Sequence, residues 1–154
     1  MLEPFKQEHQ DELMLLLREF HKEARMYKDE PFDESIVASY FQHCIASSDG
    51  FGVVWRSSNG EIAGFIAGLI VPSLFNSGKL SEDLSLYILP AYRKKAGIAV
   101  QLVNAYVEWA RSCGVKDKFI RISVSAGVDN NSAGNFLERL GFSEVGRSYA
   151  LGSV

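Results

Sequence analysis

The sequence predicts an α/β (α+β) domain in which helices flank a central sheet. Three observations carry that expectation. Ser58-Asn59-Gly60 is a hairpin signal between two runs rich in β-branched and aromatic residues. Other segments repeat apolar residues at helical spacing. The elements follow one another as β, α, α, β, β, β, α, β, α, β, with no internal repeat and no low-complexity linker. With 154 residues, 47% of them hydrophobic and 23% charged, the chain suits a single domain, 1–154, able to bury its own core.

Taken in order, Leu2 to Phe5 is a short apolar start. From about Gln7 to Ala24, Leu13, Leu16, Leu17 and Phe20 share one helical face. Asp33 is placed to cap a second helix, Glu34 to about Ala46, whose stripe is Ile36, Val37, Tyr40, Phe41 and Cys44. Strands are expected at Phe51 to Arg56 and Ile62 to Val71, paired antiparallel across the hairpin. A polar loop with Pro72, Asn76 and Gly78 leads to a strand at Leu84 to Leu89, which Pro90 stops. Ile98, Leu102, Ala105, Tyr106, Trp109 and Ala110 form the inward stripe of a helix ending at Gly114. Phe119 to Ser125 is read as a strand. Asp129, Asn130 and Asn131 supply cap residues for a helix through Leu140. Gly141 ends it before a last strand, Phe142 to about Leu151, and a short frayed tail at Gly152 to Val154.

Charge and composition narrow the function. A net charge of −3 argues against a broad nucleic-acid or anionic-membrane surface, so no nucleic-acid or membrane partner is expected. No apolar run approaches the ~20 residues of a membrane span, and the chain is expected to be cytoplasmic. Cys44 and Cys113 lie far apart, and His9, His21 and His43 show no ligand spacing to them, so no metal is expected.

One stretch stands out. Between a strand and an amphipathic helix lies Arg93-Lys94-Lys95-Ala96-Gly97-Ile98-Ala99. A helix start presents backbone N–H groups without intrahelical partners, and its dipole adds positive character. Gly97 lets backbone approach a ligand closely, Ala96 and Ala99 keep the approach open, and Arg93, Lys94 and Lys95 add formal charge. The turn therefore suits a compact anion such as a phosphate. Neither the Gly-x-x-x-x-Gly-Lys-Ser/Thr nor the Gly-x-Gly-x-x-Gly pattern is present, which argues against an NTPase or a dinucleotide dehydrogenase.

Pro90-Ala91-Tyr92-Arg93 followed by this turn resembles the GCN5-related N-acetyltransferase (GNAT) superfamily, in which a strand runs into an Arg/Gln-x-x-Gly-x-Gly/Ala turn. Lys94 takes the first motif position, and the turn is one residue longer than usual, as in small bacterial and phage-encoded members. A second segment, Asp129 to Phe142, is similar to the family's Asn-x-x-Ala-x-x-x-Tyr-x-x-x-Gly-Phe, with Asn130, Ala133, Gly141 and Phe142 in register. Leu137 stands where the family has tyrosine.

The resemblance implies a GNAT fold, with a mixed, mostly antiparallel central sheet, and acetyl-CoA as cosubstrate. It implies transfer of the acetyl group to a primary amine, of a small molecule or a protein, by direct attack. The rival expectation is a non-catalytic acyl-CoA-binding or partner-binding module on the same fold. The turn from Arg93 to Ala99 would hold the pyrophosphate, and Asn130 would lie along the cofactor. Backbone at Tyr87, Ile88 or Leu89 would polarise the thioester where that strand splays from Phe119 to Ser125. Asp83 and Glu82 are the candidate bases, Asp83 the favourite. With Leu137 in place of tyrosine, Tyr149 is the first candidate acid, then Tyr92 and Tyr87. Acids at Glu23, Asp29, Glu30, Asp33 and Glu34 suggest a cationic acceptor. A homodimer stays open.

Overall fold

The structure, a computed structural model, describes residues 1–152, the Ala96 side chain apart; Ser153 and Val154 of the expected tail lie outside the described residues. Strands β1 (Leu2–Pro4), β2 (Gly50–Arg56), β3 (Ile62–Pro72) and β4 (Lys79–Ile88) form one antiparallel sheet in sequence order. Helices α1 (Gln10–Glu23) and α2 (Glu34–Ala46) precede β2, α3 (Ala96–Ser112) follows β4, and α4 (Asn130–Arg139) comes last.

Alternation along the strands sends side chains to two cores. On one face Val53 and Ile66 pack with Ile98, Leu102, Tyr106 and Ala110 of α3, and with Val115 and Ile120 beyond it. On the other, Val54, Ile62, Phe65 and Tyr87 pack with Leu13 and Leu16 of α1 and Phe41 of α2. The sheet is thus covered on both sides, α3 against one face and α1 with α2 against the other.

The hairpin and the helix caps follow their local chemistry. The Ser57 N–H donates to Glu61 O (2.9 Å), and Gly60 takes φ +88°, a conformation that favours glycine. Asp33 accepts from the N–H groups of Ser35 (2.9 Å) and Ile36 (3.3 Å), capping α2 where expected. Asp129 accepts from the Ser132 N–H at the start of α4.

Three expectations about strands need correction. β4 begins at Lys79, earlier than the apolar run from Leu84, because its first half is held by backbone pairing with Gly68–Pro72 and needs no apolar side chains. The segment 119–125 forms no regular strand: it meets β4 in one parallel bridge, Ser81 to Ile120, with the Arg121 N–H donating to Ser81 O (3.0 Å), and then departs. Residues 142–152 also form no strand, and Val145, Tyr149 and Leu151 there are exposed.

A bulge sits where the departure begins. Ala67 pairs with Ser85 but Gly68 pairs with Asp83, leaving Leu84 as an extra residue in β4. Such a bulge bends the strand and adds twist, which turns the far half of β4 away from its parallel neighbour. The Tyr106 hydroxyl donates to Arg121 O (2.8 Å), fixing the start of the departing segment to α3.

Candidate active site

The fork between β4 and 122–126 opens into a cleft of about 600 Å³. Its floor is Asp83 to Leu86 of β4 and Ile122 to Ala126. Its walls are the C-terminal half of α1, the loop before α2, the start of α2, and α4 through Asn130, Ala133, Phe136 and Leu137. Glu30, Asp33 and Asp83 line it, with no lysine or arginine among the lining residues.

At the fork, the Ser123 N–H donates to the Asp83 carboxylate (2.7 Å). This bond spans the gap just past the last backbone bridge. Burial pushes the Asp83 carboxyl up to about 6, against the hydrogen bond from Ser123, which pulls it down. The group is therefore a carboxylate at neutral pH with a proton affinity matched to proton transfer. Glu82, its neighbour, is exposed and lies 3.6 Å from Arg121.

The edge of β4 beyond the fork can be read from one hydrogen bond. The Leu89 N–H donates to Ala63 O (2.9 Å), toward β3. In an antiparallel ladder the direction alternates, so Tyr87, opposite Phe65, also bonds toward β3. Leu86 and Ile88 then face the open edge. Of the three backbone positions expected at the thioester, Ile88 alone turns its N–H into the gap, and Leu86 joins it.

Two features test whether acetyl-CoA suits this groove. The Ser85 hydroxyl, on the cleft floor, is buried with no hydrogen-bond partner among the described residues, a state that costs roughly 1–3 kcal/mol unless a ligand supplies one. At the start of α3, a Cβ on Gly97 would meet nothing nearer than Gln101 Nε2 at 3.9 Å, so protein packing does not demand glycine there. Ser85 lies in the cleft and Gly97 outside its lining, and each fits one part of a polar, phosphate-bearing chain.

The basic turn is only partly free. The Ile98 N–H donates to Lys95 O, while Lys95 has no side-chain role in capping α3 and sets its ammonium 5.0 Å above the Tyr92 ring. Lys94 and Gly97 are exposed, Ala99 is part-buried, and Arg93 is engaged: its Nε donates to Ile88 O (2.8 Å), and its terminal nitrogen lies 2.8 Å from Glu23.

The structure brings Asp83 and Asn130 to one cleft, while Tyr87, Ile88, Leu89 and the turn from Arg93 to Ala99 lie outside its lining, and it does not bring the tyrosines there as free acids. Tyr149 is 88% exposed on the unpaired segment 142–152. The Tyr92 hydroxyl donates to Glu61 (2.8 Å), and the Tyr87 hydroxyl donates to Glu23. Sequence reading passed over Ser85 and the partnership of Glu23 with Arg93. Neither has a local signal, since one is a serine in a strand and the other joins residues far apart in the chain.

Of the five acids read as a cationic acceptor signal, three have structural partners. Glu23 holds Arg93, Asp33 caps α2, and Glu34 pairs with Arg18. Asp29 and Glu30 form no ion pair among the described residues. No group of three or more potential metal ligands occurs among those residues, and no helix there is long and apolar enough to cross a membrane.

Residues 11–142 match the model of the Acetyltransferase (GNAT) family. Solved structures share the fold at low identity. The aminoglycoside antibiotic 6'-N-acetyltransferase AAC(6')-Ih from Acinetobacter baumannii is 16% identical, with a TM-score of 0.75 over 100% of this chain and 97% of that one. AAC(6')-Iy, solved with the bisubstrate analog CoA-S-monomethyl-acetylneamine, is 17% identical, with a TM-score of 0.74 over 100% and 97%. Glucosamine-6-phosphate N-acetyltransferase from Arabidopsis thaliana is 15% identical, with a TM-score of 0.70 over 100% and 97%. No curated protein matches the chain by sequence. The family match spans most of the chain and agrees with a four-stranded antiparallel sheet, flanked by helices, that forks at β4: the chain belongs to the GNAT acetyltransferase family.

Proposed function

We propose that the protein is an N-acetyltransferase that carries the acetyl group of acetyl-CoA to a primary amine, of a small molecule or a protein, by direct attack. The observation that carries this reading is the fork itself: an open β4 edge, a part-buried carboxylate at its vertex, and the start of a helix beyond its far end. When bound, acetyl-CoA supplies an activated thioester.

The chain's own groups divide the work. The N–H donors at the start of α3, with Lys94 and Lys95 beside them, hold the pyrophosphate. The outward amides of Leu86 and Ile88 pair with the pantetheine arm and polarise the acetyl carbonyl, holding fixed dipoles where charge develops. Asp83, ionised at neutral pH, takes the proton from the ammonium of the acceptor and leaves a neutral amine to attack. Asp83 is preferred to Glu82 because it lines the cleft, whereas Glu82 lies near Arg121 outside it. A thiolate is a far weaker base than an alkoxide and leaves without a dedicated acid, so solvent can supply its proton and Leu137 can occupy the tyrosine position.

The test is release of free CoA from acetyl-CoA across a panel of primary amines. The expected result is amine-dependent release that Asp83→Asn lowers about a hundredfold or more. Tight acetyl-CoA binding without release by any amine would instead support the non-catalytic acyl-CoA module.

A further inference from the structure

Arg93 is the first of the three cations in the basic turn, yet its guanidinium is committed elsewhere. Nε donates to Ile88 O (2.8 Å), and a terminal nitrogen contacts both Glu23 oxygens at 2.9 and 2.8 Å. The guanidinium carbon lies 5.3 Å from the Tyr87 ring centre. The Tyr87 hydroxyl closes the cluster by donating to Glu23. Tyr87 itself is 3% exposed and stacks on Phe20 of α1, with ring centres 5.1 Å apart.

The cluster joins three parts of the site. Glu23 is the last residue of α1, whose C-terminal half walls the cleft. Ile88 is the last residue of β4, and its peptide groups face the open edge. Arg93 lies between β4 and α3. Beyond the fork this edge of β4 has no neighbouring strand among the described residues to hold it straight, and an edge without a partner is free to bend. A charge-assisted, forked contact fixes geometry more firmly than neutral bonds do.

We infer that Arg93 is a positioning residue: with Glu23 it braces the unpaired end of β4 through the Ile88 carbonyl, holding the Ile88 edge in place for the pantetheine arm, and leaves phosphate binding to the amides of α3 and to Lys94 and Lys95. The inference deepens the acetyl-CoA reading and rests on it for the ligand, while the brace itself is measurable in the free protein.

Two opposed charges make the test sharp. A phosphate-binding Arg93 would be held back by Glu23, so Glu23→Gln would release it and tighten acetyl-CoA binding. A brace fails when either partner is lost. Amide hydrogen exchange of Tyr87 and Leu89 is measured in free wild type, Arg93→Ala and Glu23→Gln. Calorimetry on the same proteins follows, with acetyl-CoA and with adenosine 3',5'-bisphosphate, which has phosphates but no pantetheine arm.

The brace predicts exchange about tenfold faster at both amides in both variants, with the β2 and β3 amides unchanged. It also predicts acetyl-CoA binding weakened about tenfold in both, and bisphosphate binding unchanged. Unchanged exchange, tighter acetyl-CoA binding in Glu23→Gln, or loss of bisphosphate binding in Arg93→Ala would each overturn it. Glu23→Gln preserves side-chain shape, so it decides the matter should Arg93→Ala fail to fold. If wild type binds no acetyl-CoA, the functional reading falls, and the exchange data still decide the brace.

Discussion

At the residue scale the site turns on Asp83. Its proton affinity is raised because burial disfavours the charged form, so the folded protein holds that proton more tightly than the unfolded chain does. The consequence for stability has a definite sign. Asp83 costs stability as pH rises from the ordinary carboxylate range toward about 6, and the cost is complete above that. Asp83→Asn keeps an acceptor for the Ser123 N–H and removes the buried charge. It is expected to raise unfolding free energy by on the order of 1–2 kcal/mol at pH 8 and to change it little near pH 4, as denaturant titrations at both values check. If Asp83 is the proposed base, the same variant is expected to lose amine-dependent turnover and wild-type activity to fall as pH drops through about 6, which a pH–rate profile reads directly.

Gly97 gives a second trade at this scale. It lies in the first turn of α3 with open space where a Cβ would go, so Gly97→Ala should gain about 0.5–1 kcal/mol of helix stability. It should weaken acetyl-CoA binding at least tenfold through crowding of the phosphate turn. A melting curve and a titration on one sample measure both.

At the element scale, the bulge in β4 and the helix seated over it control the fork. A Cβ on Gly68 would lie 2.5 Å from the Tyr106 ring and 3.1 Å from Glu82 O. Tyr106 is fully buried, so the ring has little room to yield. Gly68→Ala is expected to destabilise the protein by about 1–3 kcal/mol, read as a lower denaturation midpoint.

Sequence legibility divides along the same line. α2 with Asp33 and the hairpin around Gly60 were legible, because cap and turn residues act on backbone within a few positions. The first half of β4 was not: Ser81, Glu82 and Asp83 have low strand preference, and pairing to β3 holds them. Phe119 to Ser125 has strand composition but leaves its partner after one bridge, and composition does not record partnership. The turn at Arg93 to Gly97 and the fork could be located from motif and order. That Arg93 would be tied to Glu23, and that Leu86 would share the open edge with Ile88, depended on contacts far apart in the chain and on strand register.

At the scale of the molecule, two covered sheet faces leave one working seam, where β4 parts from its neighbour. One end of the seam is basic at the α3 turn, and the other is walled by acids. On the expectation of a cationic acceptor, Glu23, Asp33 and Glu34 have structural partners, and Asp29 and Glu30, of which Glu30 lines the cleft, are the acids of that set left to attract it. Asp29→Asn with Glu30→Gln should raise the acceptor KM about three- to tenfold at low salt, with less effect at high salt and none on acetyl-CoA affinity.

On the proposed function the seam takes acetyl-CoA, with its pyrophosphate on the first turn of α3. Calorimetric titration of acetyl-CoA into wild type and Gly97→Asp tests it most directly, because an acid in the first helical turn favours the helix while repelling phosphate. Micromolar binding to wild type is expected, with a loss of about a hundredfold or more in a variant that melts no lower. Absence of binding to wild type, or equal binding by a folded Gly97→Asp, would contradict it.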